Sequence, residues 1–236
     1  MKSGILVFIS TFDYSMLVTD SFIILVCNGA EYKTVKRGLR DTSLSDRIIP
    51  IPIGIQAVYR FLETSNIDKN TPVILLGLAG SLSKEYSVGD VVVYDSCCYL
   101  EKGKLLTKPC NGMLKNYLVK RLNASTVGGI TSDILLWESS QKKRLFQQSQ
   151  AMVVDMESFA ILSYFATAAV VRVVSDGVDD NLPQLNQAIT PTGELDGVRM
   201  FFAFLRQPVR GIKLVKNSLI SLRKLEAVVR KLGDGG

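Results

Sequence analysis

Short apolar runs bounded by polar or turn residues recur at 22–27, 48–51, 72–76, 90–94, 151–154 and 170–174, and each reads as a buried strand. Between them, apolar positions fall at three- and four-residue spacing over 55–63, 113–122, 141–147 and 158–167, the repeat of a helix with one buried face. Strand and helix alternate, which predicts an α/β fold whose sheet has much parallel character. A last stripe of Val215, Leu219, Leu222, Leu225, Val229 and Leu232 predicts a C-terminal helix over 210–232, with Lys213, Lys216, Arg223, Lys224, Arg230 and Lys231 on its polar side. Residues 1–20 fit this alternation poorly, and the glycine-rich stretch 233–236 is expected to fray. With no internal repeat, the 236 residues read as one domain.

The segment 151–180 carries the most chemistry. A predicted strand ends in Asp155-Met156-Glu157, which opens a helix, and the next strand runs into Ser175-Asp176. Carboxylates thus stand just past the carboxyl end of each strand, the edge where α/β sheets bind ligands. If the two strands are neighbours, about 5 Å apart, Glu157 and Asp176 face one crevice. Taken singly, each has a plainer reading: Asp155 and Glu157 complement a helix dipole, and Asp176 caps a turn. Gly77-Leu78-Ala79-Gly80-Ser81-Leu82 follows another predicted strand, and its small residues let backbone amides approach a ligand. It has neither the lysine of a P-loop nor the spacing of a dinucleotide fingerprint.

Composition narrows the chemistry. The chain contains no histidine, and Cys27, Cys97, Cys98 and Cys110 lack metal-ligand spacing, so zinc chemistry and Ser-His or Cys-His catalysis are not expected. No metal or cofactor is implied. Acid–base work falls to carboxylates, lysines or tyrosines, and the cysteines read as buried free thiols. Hydrophobic residues at 47% and charged residues at 21% are the balance of a globular protein. No apolar run approaches the roughly 20 residues of a membrane span. The apolar start is broken by Ser10, Thr11 and Asp13 and lacks a cleavage site, which points to the cytoplasm. The net charge of +6 is concentrated after residue 205. A packed helix with a solvated basic face explains it, and contact with an acidic partner or a membrane surface is the alternative. No nucleic-acid module is present.

In this order, the motifs resemble the nucleoside phosphorylase/nucleosidase superfamily, nearest to methylthioadenosine/S-adenosylhomocysteine nucleosidases. The resemblance rests on Gly77–Leu82 with Val88-Gly89-Asp90-Val91-Val92, on Val154-Asp155-Met156-Glu157, and on Arg172-Val173-Val174-Ser175-Asp176. Softer matches are Cys27-Asn28-Gly29-Ala30-Glu31, Pro52-Ile53-Gly54-Ile55-Gln56-Ala57 and Thr131-Ser132-Asp133-Ile134-Leu135-Leu136. The resemblance implies a three-layer phosphorylase/hydrolase-like fold, a mixed central sheet flanked by helices, and a homo-oligomer acting on a small nucleoside. It implies that Asp176 is the acid at the purine, that Glu157 beside Met156 holds the ribose hydroxyls, and that Glu31 activates water. Leu78, Ala79 and Gly80, with Ser175, would line the site near ribose and base. Leu135 and Leu136 stand where relatives flank the base, often with an aromatic ring.

These roles suit the reaction. Glycosidic cleavage builds positive charge on the sugar, which a carboxylate stabilises, while electrons enter the base, which an acid accommodates. A free aspartic acid has a pKa near 3.9, so Asp176 needs burial, a negative neighbour or a hydrogen bond that retains its proton. Asp179 and Asp180 are close enough in sequence to serve. Phosphorolytic relatives carry an arginine two residues before the glycine motif, where this chain has Leu75. That favours water over phosphate as nucleophile, unless Arg37, Arg40 or Arg60 supplies a phosphate site. A phosphorylase and a non-catalytic nucleoside-binding protein remain the alternatives.

Overall fold

The computed structural model describes residues 22–183, 188–194, 196 and 207–234, so the unusual segment 1–20 and the last two glycines lie outside the described residues. The elements run β1 (Ile23–Cys27), α1 (Ala30–Gly38), β2 (Ile48–Ile51), α2 (Ile55–Thr64), β3 (Val73–Ser81), β4 (Val91–Glu101), β5 (Lys104–Pro109), α3 (Gly112–Leu122), β6 (Ser125–Thr131), α4 (Ser139–Ser149), β7 (Val153–Asp155), α5 (Ser158–Tyr164), β8 (Ala168–Asp176) and α6 (Pro208–Gly233). The strands form one mixed sheet flanked by helices. β2, β1, β3 and β8 are parallel in sequence of pairing, and β6 is parallel to β4 and β7. β4 runs antiparallel to β8 and β5, and β7 antiparallel to β3. The pairings close a ring, β3–β8–β4–β6–β7–β3, from which β1 with β2, and β5, extend.

Burial explains which strands were plain in the sequence. The cores of β3 and β8 read Val-Ile-Leu-Leu and Ala-Ala-Val-Val, fully buried because both faces of these strands are covered. Three elements give little signal and were not expected. α1 buries only Thr34, Val35 and Gly38, β5 is a largely exposed edge strand, and β6 has two adjacent glycines.

Two expectations about the central motifs need correction. The glycine motif does not follow a strand but forms its second half: β3 continues to Ser81, and Gly77 and Gly80 pair in register with Arg172 and Asp176 of β8. Nor are β7 and β8 neighbours. The end of β3 lies between them, with Gly80 paired to Val154 on one side and Asp176 on the other.

The C-terminal helix is present and longer than predicted. Leu225, Val228, Val229 and Leu232 are buried, and α6 packs on α1 and β8. Gly38 lies against Val229 so closely that any side chain there would collide with it. The expected stripe faces the core only in the second half of the helix, because Val215 and Leu219 are 45% and 52% exposed. Among the described residues no helix is long and apolar enough to cross a membrane, and no cluster of ligating residues is arranged to hold a metal ion. Cys27, Cys97 and Cys110 are buried free thiols and Cys98 is half-buried.

Candidate active site

A charged side chain inside an apolar strand must find partners there. Arg172, in the middle of β8, is fully buried. Its Nε donates to Asp155 Oδ2 at 3.1 Å, and its Nη2 donates to Glu157 Oε2 at 3.1 Å. Asp155 also accepts from Thr131 Oγ1 at 2.8 Å, from the backbone N–H of Ser158 at 3.1 Å, and from the Ser158 hydroxyl. It therefore satisfies the first turn of α5 and fixes the guanidinium, so for Asp155 the helix-terminus reading holds. Glu157 does something else. Its side chain makes no cap, and Oε1 instead accepts from the N–H of Gly54 at 3.1 Å, joining the start of α2 to the start of α5.

Glu31 enters from the first turn of α1, and its Oε2 accepts the Leu78 N–H of β3 at 3.1 Å. Gly77 makes this approach possible, since a Cβ there would overlap both Glu31 Oε2 and Arg172 Nη1. These two groups flank the same glycine, and Arg172 Nη1 is buried without a hydrogen-bond partner.

One guanidinium thus faces three carboxylates, Asp155, Glu157 and Glu31. Desolvation raises Glu31 to about 7, against the pull of Arg172 and with the help of Glu157 and Asp155. Glu157 is raised by burial and by Asp155, again opposed by Arg172. For Arg172, burial works against the charge, but Asp155 and Glu157 outweigh it and hold its pKa well above the ordinary value. Desolvation also raises the Cys27 thiol, which lies among the same carboxylates.

Asp176 closes β8 four residues beyond Arg172 and is buried against Gly80, where a Cβ would stand 3.0 Å from Asp176 Oδ2. Ser175 Oγ donates to Asp176 Oδ1 at 2.8 Å. The neighbouring charge is not the acid that the sequence suggested. It is Lys142 of α4, whose ammonium is paired with Asp176 Oδ2. Asp179 is engaged by Lys143 at 2.7 Å, and Asp180 pairs with Lys213 at 2.5 Å and accepts the Gly177 N–H.

The remaining expected residues fall around these groups. Leu78 and Gly80 are partly open along β3, whereas Ala79 turns inward and its carbonyl lies 3.2 Å from Ser175 Oγ. Met156 is half-buried and lines a groove of about 300 Å³ with Ile53, Gly54, Ile55, Ile134 and Ile189. Leu135 is half-buried, and Leu136 packs against Leu82, Ile130, Ala151 and Val154. Arg37 is committed to Glu226, Arg60 donates to the Pro191 carbonyl, and Arg40 is exposed.

Sequence reasoning did not single out Arg172 or Lys142 as site residues. For Arg172 the signal existed, a lone cation inside Val-Val-Arg-Val-Val. Lys142 gave none, since it sits in a Lys-Lys-Arg run whose other two members are exposed.

A family model described as the phosphorylase superfamily matches residues 56–194. Comparison with curated proteins finds no match. Among solved structures, the chain is similar to 5′-methylthioadenosine/S-adenosylhomocysteine nucleosidase from Helicobacter pylori at 16% identity and a TM-score of 0.61, covering 88% of this chain and 97% of that one. It is similar to futalosine hydrolase of Helicobacter pylori strain 26695 at 14% identity and a TM-score of 0.62, covering 90% and 98%. The nucleosidase from Colwellia psychrerythraea 34H is 19% identical, with a TM-score of 0.55 and coverage of 87% and 96%. At these identities the likeness establishes the fold.

Proposed function

Because the chain belongs to the phosphorylase superfamily, we propose that it hydrolyses the N-glycosidic bond of a purine nucleoside, a 5′-modified adenosine being the best candidate. The observation that carries this reading is the Glu31–Arg172 pair over Gly77. A buried donor left unpaired costs about 1–3 kcal/mol. Arg172 Nη1 is such a donor, and Glu31, raised to about 7, is an acceptor poised as a general base near neutral pH. A water molecule satisfies both, since it accepts from the guanidinium and donates to the carboxylate.

In this reading the water is activated by Glu31 and adds to the anomeric carbon. Glu157 holds the ribose hydroxyls and stabilises the positive charge of the sugar. Asp176, with Ser175 at its side, delivers the proton to the departing purine. Leu78 and Gly80 line the passage between ribose and base, and Leu135 and Leu136 offer the base an apolar surface. The groove beside Met156, mainly apolar in its lining, receives the 5′ substituent.

Charge favours water over phosphate. Glu31, Asp155 and Glu157 surround a single guanidinium, a setting that repels a dianion. Leu75, at the position where phosphorolytic relatives have an arginine, is fully buried and has no charge to offer. The test is to incubate the protein with 5′-modified adenosines and unmodified purine nucleosides, with and without phosphate, and to follow base release by chromatography. Release independent of phosphate is expected. Release only with phosphate selects a phosphorylase, and nucleoside binding without turnover selects a non-catalytic binding protein.

A further inference from the structure

Lys142 is 1% exposed, the most deeply buried lysine of the described chain. Its ammonium donates to Asp176 Oδ2, to the Gly177 carbonyl at 2.8 Å and to the Asp180 carbonyl at 3.4 Å, so its three protons have three acceptors. Its neighbours on α4, Lys143 and Arg144, are exposed. Burying an ammonium costs several kcal/mol before its partners compensate, and an apolar side chain would fill the same space without that cost. What the lysine adds is a charge and a supply of protons directly behind Asp176.

We propose that Lys142 is a positioning residue and the proton source for Asp176, an inference that rests on the nucleosidase reading above. As the bond between the anomeric carbon and the purine nitrogen breaks, its electron pair passes into the base. Lys142 passes a proton to the Asp176 carboxylate, becoming a neutral amine, and Asp176 hands that proton on to the base. Water adds to the anomeric carbon and gives its proton to Glu31. One proton leaves the lysine and one arrives on the glutamate, so the site stays balanced until exchange with solvent resets both. Two contacts hold the carboxylate ready: the Ser175 hydroxyl on Oδ1 and the ammonium on Oδ2.

The experiment compares two substrates, an ordinary purine nucleoside and its N7-methylated form, whose base already carries a positive charge and leaves without a proton. Lys142→Arg keeps the buried charge, but a guanidinium does not give up its proton in proteins. Lys142→Met removes both charge and proton. On the ordinary nucleoside, both variants are expected to lose kcat by about a hundredfold or more, the scale of a positioned acid. On the methylated nucleoside the loss should stay below about tenfold, which also shows that the variant is folded. Equal losses on the two substrates, or a Lys142→Arg enzyme that keeps full activity on the ordinary one, overturn the relay while leaving the nucleosidase reading intact. A wild-type protein that cleaves neither substrate removes that reading, and the relay with it.

Discussion

Arg172 and Glu31, delivered by β8 and α1, meet across Gly77, with the guanidinium Nη1 unpaired and the carboxylate anchored to the Leu78 N–H at 3.1 Å. Neither group can swing away freely. Arg172 is held by Asp155 and Glu157, and a side chain at position 77 would close the space that they share. In the function proposed above, this fixed pair holds the attacking water, and that proposal has measurable consequences.

Acting as a base, Glu31 must be deprotonated. Since it is raised to about 7, kcat/KM should climb with pH through neutrality and level off above it. Glu31→Gln should lose activity by about a hundredfold or more together with that limb of the profile. A wild-type profile flat from pH 5 to pH 8 would falsify this role for Glu31.

The same shift has a stability consequence of definite sign. The folded protein binds the Glu31 proton more tightly than the unfolded chain does, so its favourable contribution is complete below the ordinary value of 4.5 and is lost as pH rises to about 7. Glu31→Gln should therefore be more stable than wild type at pH 8, by about 1–3 kcal/mol, with the difference vanishing near pH 4. Urea unfolding at the two pH values reads this directly. Equal differences at both would show that the carboxyl is not perturbed.

Arg172→Met leaves Asp155 and Glu157 buried without a cation. Removing one partner of a buried ion pair typically costs 3–5 kcal/mol, and that loss is expected here in chemical denaturation. A change below about 1 kcal/mol would mean that the carboxylates have water or other partners.

Gly77→Ala tests the close approach. Its Cβ would collide with Glu31 and Arg172, so activity should fall by about a hundredfold or more, with overpacking costing about 1–3 kcal/mol. Gly128→Ala is the control, because nothing lies within 4 Å of the added methyl. It should stay within about 0.5 kcal/mol of wild type.

Asp176→Asn preserves shape and a carbonyl for Lys142 but cannot deliver the proton. Its kcat should drop about a hundred- to ten-thousandfold, with a far smaller effect on nucleoside affinity measured by calorimetry. Full activity in this variant would remove the acid from the mechanism.

The sequence alone determined the alternation of buried strands and helices, because apolar runs such as Val-Ile-Leu-Leu and Ala-Ala-Val-Val record burial directly. It also drew attention to Asp155, Glu157 and Asp176, since they stand at the ends of predicted strands, while Glu31 was singled out only through the family resemblance. Elements whose burial is slight, such as α1 and β5, left no such trace. Only the tertiary structure decided that β3 stands between β7 and β8, that Arg172 binds the carboxylates together, and that the charge facing Asp176 is a lysine 34 residues earlier. The physical reason is that burial depends on each residue's own hydrophobicity, and so can be read along the chain. Charge pairing depends on which distant segments the sheet brings into contact, and no local pattern encodes the partner.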